Sequence, residues 1–201
     1  MINYKVIPLG EILDSEFDKQ KIEAVFKKFS CQRETDLEDF LIRKAIPYEK
    51  SNYGKTHLII DYDKLSNMGE LVIVAYFTIS HRPVDISHLS KSKRKKTFKE
   101  YPGADHLNSI SAYLIGQLGR CDDYSNEDLD GQTILNECYH AISVAARVVG
   151  GNVVILECRE RMYEKFYEKQ SYKKLSDELN EENLYTLYRK VDFSEYWSKA
   201  S

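Results

Sequence analysis

The chain has 201 residues, of which 42% are hydrophobic and 30% charged. That balance excludes a disordered chain, and folding at this size removes roughly 70% of the extended surface from water without disulfide or metal staples. Its 29 Lys and Arg against 32 Asp and Glu give a net charge of −3, which excludes a surface basic all over but leaves room for a local basic patch. No apolar run approaches the roughly 20 residues that span a bilayer. The opening MINYKVIPLGEILDSEFDKQ has neither a basic n-region nor a long apolar stretch, so a cytoplasmic protein is expected, with no membrane contact.

The four cysteines, Cys31, Cys121, Cys138 and Cys158, are too far apart in sequence for a zinc knuckle or a C-x-x-C pair. They read as reduced core hydrophobes. The histidines (His57, His81, His88, His106, His140) form no H-x-x-x-H pair, so no metal is expected.

In chain order, Ile22, Val25, Phe26 and Phe29 recur at helical steps. Thr35-Asp36-Leu37-Glu38 predicts a capping box that opens a second helix, with Leu37, Phe40, Leu41 and Ile42 on its apolar side and Pro47 restraining its continuation. The runs His57 to Ile60 and Leu71 to Ile79 predict an antiparallel strand pair turning at Asn67-Met68-Gly69-Glu70. Residues 81 to 108 read as irregular and contain the basic run Lys91-Ser92-Lys93-Arg94-Lys95-Lys96. That run is either a solvated loop or a patch for a phosphate-rich acceptor.

The C-terminal part is more regular. A strand over Ser111 to Leu118 and a polar, acidic loop from Arg120 to Asp130 lead into a helix from Gly131 to Val149. Its predicted inward positions are Ile134, Leu135, Cys138, Ala141, Ile142, Ala145 and Val149, and Gly150-Gly151 stops it. The continuous apolar run Val153 to Cys158 predicts a strand covered on both faces. A helix over Arg161 to Lys169 and a strand over Leu184 to Val191 complete the pattern. The expected fold class is α/β: one domain with a mixed, mostly antiparallel sheet, a parallel pair near residues 118 and 155, and helices on both faces. No linker divides the chain. Residues 1 to 110 form its first part and 111 to 191 its second.

The stretch Tyr113 to Tyr172 resembles the GCN5-related N-acetyltransferase (GNAT) superfamily. That family's pattern is a strand, a pyrophosphate loop Q/R-x-x-G-x-G/A, a long helix, a strand, and a short helix with an F-Y or L-Y pair before G-F. The loop stands here as Asn126-Glu127-Asp128-Leu129-Asp130-Gly131, matching at its last glycine. Asn126 and Leu129 replace the Gln/Arg and the first glycine. Lys165-Phe166-Tyr167-Glu168-Lys169-Gln170-Ser171-Tyr172 is similar to F-Y-E-K-x-G-F, with Ser171 at the glycine. Phe29 to Asp61, with Cys31, Asp36-Leu37 and Phe40-Leu41, resembles the subgroup of toxins that acetylate aminoacyl-tRNA.

The resemblance implies an N-acyltransferase that moves an acetyl group from acetyl-CoA to an amine by direct attack on the thioester. The implied cofactor-binding residues are Leu118, Gly119 and Arg120 for the pantetheine arm and thioester oxygen. Asn126, Leu129, Gly131, Gln132 and Thr133 are those implied for the pyrophosphate. The implied catalytic residue is Tyr167, donating a proton to the departing thiolate. For CoA to bind, the acidic side chains of the loop are expected to face outward. Glu157 and His140 are conceivable bases, and neither is assigned. The acceptor stays open between an amine-bearing small molecule, a protein and an aminoacyl-tRNA, as does a homodimer. A degenerate GNAT fold serving as a non-catalytic binding module is the alternative of another class.

Overall fold

The computed structural model describes residues 1–15 and 19–199, with the backbone alone for Lys19, Ser198 and Lys199. It opens with β1 (Tyr4–Pro8), α1 (Leu9–Asp14), α2 (Lys19–Phe26), α3 (Thr35–Asp39), a π-helical turn (Phe40–Lys44) and α4 (Ala45–Lys50). Then come β2 (Lys55–Asp61), α5 (Tyr62–Met68), β3 (Ile73–Asp85), α6 (Lys91–Thr97), β4 (Ser109–Arg120) and α7 (Gly131–Val149). The chain closes with β5 (Val153–Cys158), α8 (Glu160–Met162), a second π-helical turn (Tyr163–Tyr167), β6 (Lys173–Lys174), β7 (Tyr185–Lys190) and a 3-10 helix (Phe193–Lys199). The seven strands follow the order β1-β2-β3-β4-β5-β7-β6. They are mostly antiparallel, with β4 and β5 the parallel pair and helices around the sheet, as the alternation of elements predicts.

The chain forms two compact units. The first takes residues 1–80, 115–149 and the tail from Asp192. In it β1 pairs with β2 from Tyr4↔Asp61 to Pro8↔His57, and β2 pairs antiparallel with β3. Leu58, Ile59, Ile60, Tyr76 and Phe77 are buried, as are Ile134, Leu135, Cys138 and Ile142 of α7. The second unit takes residues 81–114 and 150–191. There β5 pairs with β7 from Val153↔Lys190 to Cys158↔Tyr185, and Val84, Ile86, Leu89, Phe98, Ile110, Leu114, Val153 and Ile155 form one apolar cluster.

Several expectations are corrected. Strand β1 lies where no element was expected, because one five-residue strand gives too short a pattern to separate from its surroundings. The turn between β2 and β3 is a helix, α5. Asp61 caps it by accepting from the Lys64 amide, and Gly69 ends it at φ +67°. The capping box at Thr35 does not form: the preceding residue is Glu34, with no side-chain cap, and Glu38 turns away to accept from the Cys31 amide at 2.5 Å. Pro47 does not end the helical run, which passes from α3 through the π-helical turn into α4; the wider i→i−5 bond of that turn, from the Ala45 amide to the Phe40 carbonyl, lies just before the proline. Strand β3 continues through Pro83 to Asp85, and the basic run is a helix capped by the Ser90 hydroxyl. In α7 the buried stripe passes through Tyr139 and Ser143, while Val149 is 70% exposed. Gly150 and Gly151 stop that helix at φ +79° and +92°.

Candidate functional site

In the first unit, β4 ends at Leu118-Gly119-Arg120 and the chain crosses an acidic loop into the N-terminus of α7. Gly119 is buried beneath α3, and a Cβ built there would stand 2.8 Å from Leu37 Cδ1. Helix α3 is fixed in that place by Tyr76, whose buried hydroxyl donates to the Leu37 carbonyl at 2.6 Å. Burial pushes that phenol well above the usual tyrosine range, so it stays a donor. Just past β4 the Cys121 amide donates to the Val74 carbonyl of β3, and the Asp122 amide donates to the Ser30 carbonyl.

The loop is braced from three sides. Tyr124 donates to Asp61 Oδ2 at 3.0 Å and accepts from Lys64 Nζ at 3.1 Å. The Ile2 amide donates to the Asp128 carbonyl. Arg120 donates through Nη1 to the Leu129 carbonyl at 2.5 Å and lies 3.4 Å from Asn126 Oδ1. Its Nε is buried with no hydrogen-bond partner among the described residues, and burial lowers the guanidinium pKa.

The acidic side chains of the loop do not all face outward. Asp128 accepts from the amide and hydroxyl of Ser125 at 2.7 and 2.8 Å, and the Ser125 amide holds its carboxyl below the usual aspartate range. Asp130 caps α7 by accepting from the Thr133 amide at 2.6 Å. Asp122 accepts from the Gln32 amide and pairs with Arg33. In a short acidic loop the carboxylates are the nearest acceptors for neighbouring backbone amides and turn onto them. Gly131 and Gln132 stand in the first turn of α7, half exposed, with Gln132 donating to Asn136. Leu129 is 1% exposed and anchors the loop from below.

In the second unit, α8 runs into the π-helical turn Tyr163–Tyr167, where the Glu168 amide reaches back five residues to the Tyr163 carbonyl. Tyr167 is the buried residue of this turn, packed edge-to-face on Phe166 at 5.0 Å and on Tyr172 at 5.6 Å. Its carbonyl accepts from the Gln170 and Tyr172 amides. Between them Ser171 adopts φ +63°, the left-handed conformation that favours glycine, at the position where the family pattern has one.

Glu157 is exposed and stands opposite Thr186 across β5 and β7. His140 packs edge-on against Tyr196, with the ring centres 5.0 Å apart. The four cysteines are free and buried, and burial raises the thiols of Cys31, Cys138 and Cys158, the last to about 11. Such thiols are poor nucleophiles. Among the described residues no three His, Cys, Asp or Glu side chains gather as a metal site, and no helix is long and apolar enough to cross a membrane.

No protein-family profile matches the sequence, and no curated protein does. Solved structures do match over nearly the whole chain. A tyrosine-to-phenylalanine mutant of the AtaT toxin bound to the C-terminus of the antitoxin AtaR shares 14% identity at TM-score 0.65, covering 98% of this chain and 99% of that one. AtaT complexed with acetyl-methionyl-tRNAfMet shares 17% at TM-score 0.64, over 92% and 94%. AtaTR bound with AcCoA shares 19% at TM-score 0.65, over 94% of each.

The chain has the GNAT fold.

On that fold, Leu118, Gly119 and Arg120, expected at the pantetheine arm, end β4. Asn126 and Leu129, expected at the pyrophosphate, lie in the loop that follows, and Gly131, Gln132 and Thr133 in the first turn of α7, all in the first unit. Sequence reasoning missed the groups that hold this part of the GNAT fold in shape. Tyr124 meets Asp61 across 63 positions, and Leu37 of α3 meets Gly119 near the end of the central strand β4. No local pattern marks either pair.

Proposed function

We propose that this protein is an acetyl-CoA-dependent N-acetyltransferase that transfers directly to an amine. The observation that carries the reading is the segment Phe166 to Tyr172. It keeps the family's F-Y pair with Tyr167 locked between two rings, and holds Ser171 in the left-handed conformation that the family's glycine would adopt. The likeness over 94% of the chain to AtaTR bound with AcCoA supports it. The loop residues fit a pyrophosphate in two respects: Gly131 puts no side chain at the positive end of α7, and the buried Arg120 Nε is a donor lacking an acceptor among the described residues.

In the proposed reaction the neutral amine forms a C–N bond to the thioester carbonyl carbon. The oxyanion is stabilised by a backbone amide at the end of β4, around Gly119. Collapse breaks the C–S bond, the sulfur leaves with the electron pair, and Tyr167 gives it a proton and regains one from solvent. A phenol of pKa about 10 holds its proton at neutral pH and can act so. The amine's extra proton goes to water. The buried, raised thiols argue against an acyl-enzyme on cysteine.

Among acceptors, the α-amine of an aminoacyl-tRNA is favoured by the likeness to AtaT complexed with acetyl-methionyl-tRNAfMet. An α-amine of pKa about 7.7–8.0 is substantially neutral near pH 7.5, whereas deprotonating a lysine there costs on the order of 4 kcal/mol. The test incubates the protein with radiolabelled acetyl-CoA and, separately, aminoacyl-tRNA, a polyamine and a protein acceptor. Label released as acetyl-aminoacyl-adenosine after nuclease digestion is the expected result. Label on the polyamine or protein instead moves the acceptor. No transfer to any of them, together with no saturable acetyl-CoA binding, overturns the enzyme reading in favour of a binding module.

A further inference from the structure

Helix α6 carries Lys91, Lys93, Arg94, Lys95 and Lys96, in a segment from 81 to 114 with seven basic residues against three acidic ones, inside a chain of net charge −3. Its core-facing side is set by Phe98, fully buried just beyond the helix, and by Arg94, 8% exposed. The Arg94 guanidinium donates to the Leu107 carbonyl and lies 3.3 Å from Asn108 Oδ1, while its Nε has no partner among the described residues. Turning Arg94 inward turns the four lysines out. At 100° per residue they fan over about 200° of the solvent face, within about 7.5 Å of helix length.

What distinguishes these cations is that they are crowded on one seven-residue helix without counter-charges. Several lysines elsewhere do meet carboxylates: Lys28 with Glu70, Lys55 with Glu49, Lys174 with Glu160, Lys190 with Glu100. Among the described residues Lys91, Lys93, Lys95 and Lys96 meet none, and the buried guanidinium beneath them is held by neutral oxygens. Five like charges in one short helix repel one another and lower its stability. A chain with more acidic than basic residues has left this helix unneutralised, which suits a partner that brings the negative charge.

We infer that the solvent face of α6 is a docking surface for the phosphate backbone of an RNA, the four lysines each contacting phosphate and Arg94 holding the helix in place. RNA is the choice because this inference rests on the aminoacyl-tRNA reading of the acceptor. A lipid surface is disfavoured because the helix exposes no large apolar side chain to insert.

The test measures binding of deacylated tRNA by fluorescence anisotropy at several salt concentrations, for wild type and for a Lys91→Gln/Lys93→Gln/Lys95→Gln/Lys96→Gln variant. A thermal melt and an acetyl-CoA titration confirm that the variant is folded and its donor site intact. The expected result is at least about tenfold weaker tRNA binding at moderate salt, with the slope of log affinity against log salt shallower by about 3. An unchanged slope, no tRNA binding by wild type, or tighter binding to anionic vesicles or duplex DNA than to tRNA overturns the inference. The two readings fail separately. Salt-dependent tRNA binding without acetylation of any aminoacyl-tRNA removes the acceptor and keeps the surface, while undiminished acetylation and binding by the variant does the reverse.

Discussion

Leu37 occupies the space that a side chain on Gly119 would need: its Cδ1 lies 2.8 Å, and its Cγ 3.5 Å, from a Cβ built on that glycine. Helix α3 therefore rests directly on the backbone at the end of β4, and Tyr76 fixes the distance by donating to the Leu37 carbonyl. Gly119→Ala forces Leu37 off its rotamer, a cost of about 0.5–1.5 kcal/mol. Chemical denaturation of Gly119→Ala should show a loss of that size. The Gly119→Ala/Leu37→Ala double variant should lose less than the sum of the two single ones. Strict additivity would mean that the contact is not made.

Tyr167→Phe is expected to lower turnover with acetyl-CoA by about tenfold to a thousandfold and to leave CoA affinity nearly unchanged. The substitution removes a proton donor, whose contribution to general acid catalysis is roughly 10²–10⁴, and keeps the ring that packs on Phe166 and Tyr172. Steady-state kinetics beside a CoA titration separate the two effects. An unchanged rate at saturating substrate would leave Tyr167 a packing residue.

His57 gives the molecule a pH dependence of known sign. Its ring stacks on Phe77 at 4.9 Å, its Nδ1 is buried without a partner among the described residues, and burial lowers its pKa. The unfolded chain, with a histidine pKa of about 6.5, therefore binds the proton more readily than the folded one. The stability this neutral ring contributes is complete above pH about 6.5 and is lost as pH falls from there toward the lowered folded value. His57→Phe keeps the stack and removes the proton. Melting curves of the variant should lose the part of the wild-type slope that lies below pH 6.5, and an undiminished slope there would assign the dependence to other groups.

Where a pattern repeats over several turns, the sequence was enough. The periodic apolar stripe and paired glycines mark α7, and the unbroken run Val153 to Cys158 marks β5. Helix α6 was hidden because its inward side is largely an arginine, so no apolar periodicity betrays it. The capping box failed for a related reason: Glu38 accepts from the Cys31 amide seven residues back, a pairing set by the loop before α3 that no local pattern marks. The F-Y pair was legible as a motif, but the left-handed Ser171 that completes its geometry was legible as a departure from the motif. The brace of Tyr124 on Asp61 joins positions 63 apart and has no local signature at all.

Gly131 is where the electrostatics of the loop and the proposed CoA site meet. It follows the capping residue Asp130, whose carboxylate already holds the Thr133 amide, and Asp128 is turned onto Ser125. The Asp130 carboxylate does at the start of α7 what a phosphate would otherwise do, so an incoming pyrophosphate must approach through the amides of Gly131 and Gln132. Attraction at a helix end, about 0.3–1 kcal/mol per charge, is comparable to repulsion by one nearby screened carboxylate. Close approach therefore decides the binding, and it depends on a position with no side chain. Gly131→Val is expected to abolish measurable CoA binding while the melt stays near wild type, since Asp130 still caps the helix. Asp128→Asn, which removes a charge and keeps an acceptor for Ser125, should strengthen binding slightly, with the gain fading as salt is raised. CoA titration of both variants beside their melts is the measurement, and a wild-type affinity in Gly131→Val would remove the pyrophosphate from this helix.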